Sequence, residues 1–177
     1  MSTNRSRLTR RDILRLFELL AEDLRDQHAH AELYLVGGAV MCLALEARDA
    51  TRDVDAVFRP TGVVREAARR VAMREGVRED WLNDAVKGYL SERGDFDPYL
   101  ELDGLSVFVA RPEYLLAMKC AAMRLGEEFH DLDDVRYLLR HLDLRTTAEA
   151  LAIVTRYFDA ERLPAKTRLV LEELLGG

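Results

Sequence analysis

The chain has 177 residues, of which 49% are hydrophobic and 33% charged, and its net charge is −6. This length fits one domain with a helical addition, and the composition argues against a disordered chain. The acidic total argues against a surface coated for nonspecific nucleic-acid binding, although it is compatible with a local basic groove.

The predicted elements begin as strands alternating with helices and end as helices alone. Thr9 and Asp12 have the spacing of a capping box, and the apolar residues that follow predict a helix over residues 9–27. The dipeptide Asp103-Gly104 lies between two apolar runs and predicts a hairpin turn. Short strands are predicted over residues 33–36, 53–58, 99–102 and 105–110. Further helices are predicted over residues 40–47, 63–74, 81–90, 112–125, 130–141, 146–158 and 164–175.

This order of elements predicts an α+β fold, with a small mixed β-sheet flanked by helices and a C-terminal helical lobe. We expect the sheet-containing core over residues 1–111 and the lobe over residues 112–177, packed together as one compact unit. Cys42 and Cys120 form no CxxC motif, which argues against a disulfide framework or zinc site and favours a reducing cytoplasm. No apolar run approaches the roughly 18 residues of a membrane span, so we expect no membrane association.

Two aspartates one residue apart, Asp53 and Asp55, lie in one predicted strand. Residues at i and i+2 of a strand project from the same face, so the two carboxylates would stand side by side. Their repulsion would raise one pKa, and a bound Mg²⁺ would relieve it, because hard cations take carboxylate oxygens and bridge to substrate phosphates. The alternative is a solvent-facing edge strand with two aspartates that bind nothing.

A diglycine, Gly37-Gly38, lies between a predicted strand and a predicted helix, and 14 residues separate it from Asp53. Without Cβ atoms, the turn lets backbone N–H groups approach a ligand closely, and a triphosphate suits such a site. The alternative is an ordinary tight turn. The segment is neither GxGxxG nor a Walker motif, so neither a dinucleotide fold nor a P-loop enzyme is indicated.

Gly37-Gly38 followed by Thr51-Arg52-Asp53-Val54-Asp55 resembles the signature of the polymerase-β-type nucleotidyltransferase superfamily. Further segments resemble its AbiEii/MenT-like branch, the nucleotidyltransferase toxins of bacterial toxin–antitoxin pairs. These segments are Trp81-Leu82-Asn83-Asp84, the helix at residues 112–119 that ends on Lys119, and His130-Asp131-Leu132-Asp133-Asp134-Val135, in which His130 replaces the family's lysine. The resemblance covers roughly residues 30–140.

The resemblance implies roles for individual residues. Asp53 and Asp55 would bind one or two Mg²⁺ ions, Lys119 would contact nucleotide phosphate, and Asp131 would complete the polar site. From the residues alone, Lys119 could instead extend to solvent, and Asp131 could instead stabilise a helix N-terminus. Arg52 and Arg124 are candidate triphosphate contacts, with solvated arginine as the alternative. Glu101, just before the hairpin turn, is the candidate third metal ligand.

The implied function is Mg²⁺-dependent transfer of a nucleoside monophosphate from an NTP to RNA, with a tRNA 3′ end as acceptor. The chain would be a toxin restrained by a partner antitoxin protein. An RNA acceptor requires a groove lined by some of the arginines, for example Arg48, Arg52, Arg124 and Arg136. Two alternatives stay open: a small-molecule nucleotidyltransferase of the aminoglycoside-modifying kind, and a catalytically inactive nucleotidyltransferase-fold binding module.

Overall fold

The computed structural model describes residues 6–123 and 131–176, with the backbone but not the side chain of Asp131. Within these residues the chain divides into two units. The first comprises the described residues up to Gly88 together with Phe96–Ala110, and the second comprises Tyr89–Asp95 together with the described residues from Arg111 onward. The boundary expected at Arg111 is thus one of three places where the described chain passes from one unit to the other.

The first unit holds every strand of the described chain and three of its α-helices. The strands are β1 (Leu8–Thr9), β2 (Ala31–Val36), β3 (Ala50–Thr51), β4 (Val54–Arg59), β5 (Leu82–Asn83), β6 (Phe96–Leu102) and β7 (Leu105–Ala110). The helices are α1 (Arg10–Asp26), α2 (Gly38–Leu43) and α3 (Thr61–Glu75). Five strands form one sheet in the order β5-β4-β2-β7-β6, and β1 pairs separately with β3.

The sheet is mixed, as the sequence predicts. β2 is central and pairs antiparallel with β4 and parallel with β7. At the edges, β5 runs parallel to β4 and β6 antiparallel to β7. The α+β class with a small mixed sheet is therefore confirmed.

The core of the first unit lies between the sheet and helices α1 and α3. The apolar side chains of α1 are buried at the helical spacing that predicted the helix, namely Ile13, Leu16, Phe17, Leu20 and Leu24. In β4, buried Val54, Ala56 and Phe58 alternate with half-exposed or exposed residues, so one face of the strand packs inward and the other stays open.

Trp81 is fully buried, and its indole Nε1 donates to the Ala68 carbonyl at 3.0 Å, which makes it a core residue.

The second unit is helical, with α4 (Pro112–Ala121), α5 (Asp131–His141), α6 (Thr147–Tyr157) and α7 (Ala165–Leu175). The segment Tyr89–Asp95 joins it through hydrogen bonds, because the Ser91 amide donates to the Tyr114 hydroxyl at 3.0 Å and the Ser91 hydroxyl donates to the Tyr157 carbonyl. The Thr167 hydroxyl ties α7 to α4 by donating to the Cys120 carbonyl at 2.9 Å. The predicted C-terminal helical lobe is thus present.

One predicted element is wrong. The helix expected over residues 81–90 is instead strand β5 followed by a 3-10 helix at Ala85–Tyr89. Leu82 and Asn83 pair with β4, so their backbone is extended, and the Asn83 side chain then accepts a hydrogen bond from the Ala85 amide at 3.2 Å. Local asparagine bonding of this kind competes with α-helix formation.

None of the helices in residues 6–123 and 131–176 has the length and apolar character needed to cross a bilayer.

Candidate functional site

Gly37 ends the central strand in a conformation that other residues rarely adopt. Its φ is 67° and its ψ is −147°, and α2 begins at the next residue. Glycine reaches this region because it has no Cβ to clash with the neighbouring peptide groups. The turn at Gly37 places the residues that follow it beside the beginning of β4, where Asp53 and Asp55 lie.

The carboxylate of Asp55 fills the space that a side chain at Gly37 would need. Asp55 lies opposite Val36 in the β2–β4 ladder and opposite Asn83 in the β4–β5 ladder. A Cβ built on Gly37 would be 3.2 Å from the Asp55 Oδ2 atom. The diglycine turn and the second aspartate therefore form a single site, with the carboxylate against the turn.

Gly38 makes the equivalent close approach to Thr51 and Arg48. A Cβ built on Gly38 would be 2.6 Å from the Thr51 Oγ1 atom and 3.1 Å from Nη1 of Arg48. The Thr51 hydroxyl also donates to the Asp53 carbonyl at 3.2 Å, which connects the turn to the first aspartate. Sequence reasoning did not assign Thr51 a role, because its contact with Gly38 depends on tertiary packing.

Asp53 immediately precedes β4, and Asp55 is the second residue of that strand. Both are half-exposed, whereas Val54 between them is fully buried. Burial raises the pKa of Asp53 above its usual value, and the Asp80 carboxylate raises it further, while Arg52 and Arg78 oppose the shift. The sequence predicts this repulsion from Asp55, whereas the carboxylate that supplies it is that of Asp80. The charged form of Asp53 is thus disfavoured in the isolated protein, and a cation beside its carboxylate would stabilise it.

The chemistry of these residues fits a divalent hard cation, since Asp53 and Asp55 are carboxylates two residues apart at the start of β4 and both are half-exposed. Among the described residues, no three side chains of His, Cys, Asp or Glu form a metal-binding group. A cation here would therefore complete its coordination with water and substrate oxygens, as Mg²⁺ usually does.

The structure does not bring Glu101 to the two aspartates. Glu101 lies opposite Ser106, which lies opposite Glu32, which in turn lies opposite Arg59 at the far end of β4 from Asp55. That register separates Glu101 from Asp55 by about 13 Å along the strands and about 14 Å across them. Its carboxylate instead accepts the Ser106 hydroxyl at 2.7 Å. Glu101 is therefore not the third metal ligand that the sequence suggested.

Lys119 lies in the second unit and is held in a buried ion pair. Its Nζ is 2.8 Å from the Asp134 Oδ2 atom, and the two side chains are 14% and 3% exposed. The alternative of a lysine extended into solvent is thus wrong. From the sequence, Asp134 is named only within the segment that follows His130 and is assigned no role, although a buried acid on a neighbouring helix is the partner that a buried lysine requires.

The remaining candidates are Arg52, Asp131 and Arg124. Arg52 is exposed and near enough to Asp53 to lower its pKa. Asp131 is the first residue of α5, and its side chain lies outside the described part of the chain, as does the whole of Arg124. The roles expected for Asp131 and Arg124 stay predictions.

Comparison of the chain with protein-family models, with curated proteins and with solved structures gives no match.

Proposed function

We propose that this chain is a Mg²⁺-dependent nucleotidyltransferase that transfers a nucleoside monophosphate from an NTP to an RNA acceptor, the 3′ end of a tRNA. The observation that carries the proposal is the Asp55 carboxylate packed against Gly37, with a second half-exposed carboxylate, that of Asp53, two residues earlier in the chain. Two carboxylates close together in the chain, one of them packed against a strand-to-helix turn, suit a metal-bound triphosphate.

The proposed reaction is a single displacement at phosphorus. The acceptor hydroxyl oxygen bonds to the α-phosphorus while the bond from that phosphorus to its bridging oxygen breaks, and pyrophosphate leaves with the electron pair. The hydroxyl proton passes to the surrounding water. Asp53 and Asp55 would hold one or two Mg²⁺ ions, whose chemistry here is stabilisation of negative charge on the attacking and leaving oxygens. By resemblance, Lys119 and Asp131 serve the nucleotide, and both assignments stay predictions.

A basic N-terminal segment beside the turn supports an RNA acceptor. β1 pairs with β3, so Thr9 lies opposite Ala50, next to Thr51 of the site. The Arg7 guanidinium donates to the Ala50 carbonyl at 3.2 Å, so it is anchored there rather than in a free tail. Arg11, in the first turn of α1, is exposed. A cation held at Ala50, next to Thr51, would give an RNA phosphate a place to bind although the whole chain is acidic.

The physiological role follows from the resemblance. We propose that the chain is the toxin of a toxin–antitoxin pair, that it harms cells by blocking translation, and that an antitoxin protein restrains it. A cytoplasmic location suits an acceptor tRNA, and Cys42 and Cys120 are present as buried thiols, as expected in a reducing compartment.

The test is transfer of label to RNA. The purified chain is incubated with Mg²⁺, total tRNA and each α-labelled NTP in turn, and products are separated on a denaturing gel. Asp55→Asn keeps the shape of the side chain beside Gly37 but removes its charge, and it should lower labelling at least a hundredfold. Asp103→Asn is the matched control, because this exposed turn residue precedes Gly104 and Asn-Gly serves the same turn.

The outcomes separate the alternatives. Labelled tRNA that depends on Asp55, and that falls steeply as salt rises, supports the proposal. Label on an aminoglycoside and none on RNA, with shallow salt dependence, would favour the small-molecule enzyme. NTP binding without transfer to either acceptor would favour the inactive binding module.

A further inference from the structure

The Arg48 guanidinium lies over the second glycine of the turn. Its Nη1 is 3.1 Å from the position that a Cβ on Gly38 would occupy, and the residue is half-exposed. Arg48 lies in the connection between α2 and β3, two residues before β3 begins. Any larger residue at position 38 would press on this guanidinium, so glycine keeps the cation close to the backbone of the turn.

The turn therefore has a carboxylate on one residue and a cation on the next. Asp55 abuts Gly37 and Arg48 abuts Gly38, and consecutive Cα atoms are about 3.8 Å apart. A metal held by carboxylates attracts the oxygens of a triphosphate, yet part of the triphosphate's charge stays beyond the metal. A guanidinium beside the same turn offers several donors in a planar fork that matches phosphate oxygens.

α2 has only six residues and is too short to place much positive charge at its N-terminus. The positive charge at this turn therefore comes from a side chain. The Arg48 guanidinium is among the groups nearest to Gly38, whereas Arg52 lies near Asp53. Arg48 thus lies at the second glycine of the turn, and Arg52 lies near the first aspartate.

We propose that Arg48 binds the β- and γ-phosphates of the NTP and stabilises the pyrophosphate as it leaves. This inference rests on the proposed nucleotidyltransferase function and assigns a residue to one part of its substrate. It distinguishes Arg48 from an arginine that contacts only the RNA acceptor or only supports the turn. A contact to the β- and γ-phosphates affects NTP and pyrophosphate but leaves a nucleoside monophosphate unaffected.

Binding measured by calorimetry tests this assignment. The ligands are ATP, CTP, GTP and UTP with Mg²⁺, then the monophosphate of whichever NTP binds, then pyrophosphate. The proteins are the wild type, Arg48→Gln, Arg48→Lys and the control Arg59→Gln, an exposed arginine at the opposite end of β4. Thermal melts establish that each variant is folded, and Arg48→Lys retains a cation if the glutamine variant proves unstable.

We expect Arg48→Gln to weaken binding of Mg–NTP and of pyrophosphate at least tenfold and to leave monophosphate binding within twofold of wild type. Arg48→Lys should show a smaller loss with the same selectivity, because lysine keeps the charge but not the planar fork. Arg59→Gln should bind all ligands as the wild type does.

Two results would overturn the assignment while leaving the enzyme intact: equal NTP affinity in wild type and both Arg48 variants, or equal losses for NTP and monophosphate. If the wild type binds no NTP at all, the proposed function fails and the role of Arg48 fails with it. Loss of RNA labelling in Arg48→Gln with unchanged NTP and pyrophosphate affinity would reassign the residue to the acceptor.

Discussion

Replacing Gly37 with alanine should destabilise the protein by an amount that the turn geometry sets. With φ at 67° and ψ at −147°, the residue lies close to a region that only glycine populates readily, and an alanine held there is strained by about 1–3 kcal/mol. The new Cβ would also stand 3.2 Å from the Asp55 Oδ2 atom, so the carboxylate would have to move by a few tenths of an ångström. We therefore expect a loss of about 2 kcal/mol or more.

The same chemical change at Gly62 provides the control. Gly62 is the second residue of α3, its backbone has no positive φ, and a Cβ there would meet nothing within 4 Å. Alanine is the better helix former by up to about 1 kcal/mol, so Gly62→Ala should be neutral or stabilising. The two substitutions add the same methyl group, yet only Gly37→Ala should lower stability.

Urea unfolding followed by circular dichroism would give the free energy of unfolding, and a thermal melt would give Tm. For a chain of this size, a loss of about 2 kcal/mol corresponds to a fall of roughly 4–8 °C in Tm. If Gly37→Ala lies within about 0.5 kcal/mol of wild type, the turn does not demand glycine and the steric argument fails. Equal losses of unfolding free energy at positions 37 and 62 would show that the backbone conformation and close contacts of each glycine do not determine the effect.

Three further predictions concern the site and its supports. Mg²⁺ at a hundred times its Kd should stabilise the wild type by about 2.7 kcal/mol in thermal melts, and Asp55→Asn should abolish the shift. Lys119→Met should cost about 3–5 kcal/mol in urea unfolding by leaving the Asp134 carboxylate buried beside an apolar chain, and adding Asp134→Leu should restore most of the loss. Burial raises the pKa of the Cys120 thiol to about 12, so it should resist alkylation at pH 8 until denaturant is added.

Each of these predictions has a result that would contradict it. Equal Mg²⁺ shifts in wild type and Asp55→Asn would remove the metal role of that aspartate. A double variant at 119 and 134 no more stable than Lys119→Met alone would mean that the ion pair is not what the single change disrupts. Rapid labelling of Cys120 in the native protein, read by mass spectrometry, would show that this part of α4 opens readily.

Elements whose signals lie within a few residues were predictable from the sequence. The Thr9 hydroxyl accepts a hydrogen bond from the amide of Asp12, and the capping box expected there forms. The helix expected from residue 146 also begins with a capping box, in which the Thr146 hydroxyl accepts from the amide of Glu149. The hairpin turn forms at Asp103-Gly104, where Gly104 has a φ of 94°. In each case the partners are three or fewer residues apart, so no tertiary information is needed.

Elements that depend on distant partners were missed. β5 is extended because it pairs with β4, and β1 forms because it pairs with β3, about 40 residues away in sequence. The segment Tyr89–Asp95 belongs to the helical unit through Tyr114 and Tyr157, and neither contact has a local sequence signature. The same limit produced the assignment of Glu101, since an acid on a nearby strand is visible in the sequence and its register is not.

The spacing between the glycines and the aspartates has a steric explanation in this fold. Antiparallel pairing of β2 with β4 sets Val36 opposite Asp55, so the residue after β2 must lie against that carboxylate. The intervening chain then returns through α2 and the Arg48–Thr51 stretch, whose side chains occupy the space beside Gly38. Both glycines are thus required by what surrounds them, whether or not a nucleotide binds. The proposed function rests on the charges instead, because an ordinary tight turn needs neither a carboxylate packed against one glycine nor a guanidinium against the next. Removing Asp55 or Arg48 while keeping both glycines therefore separates the catalytic hypothesis from the architecture that holds it.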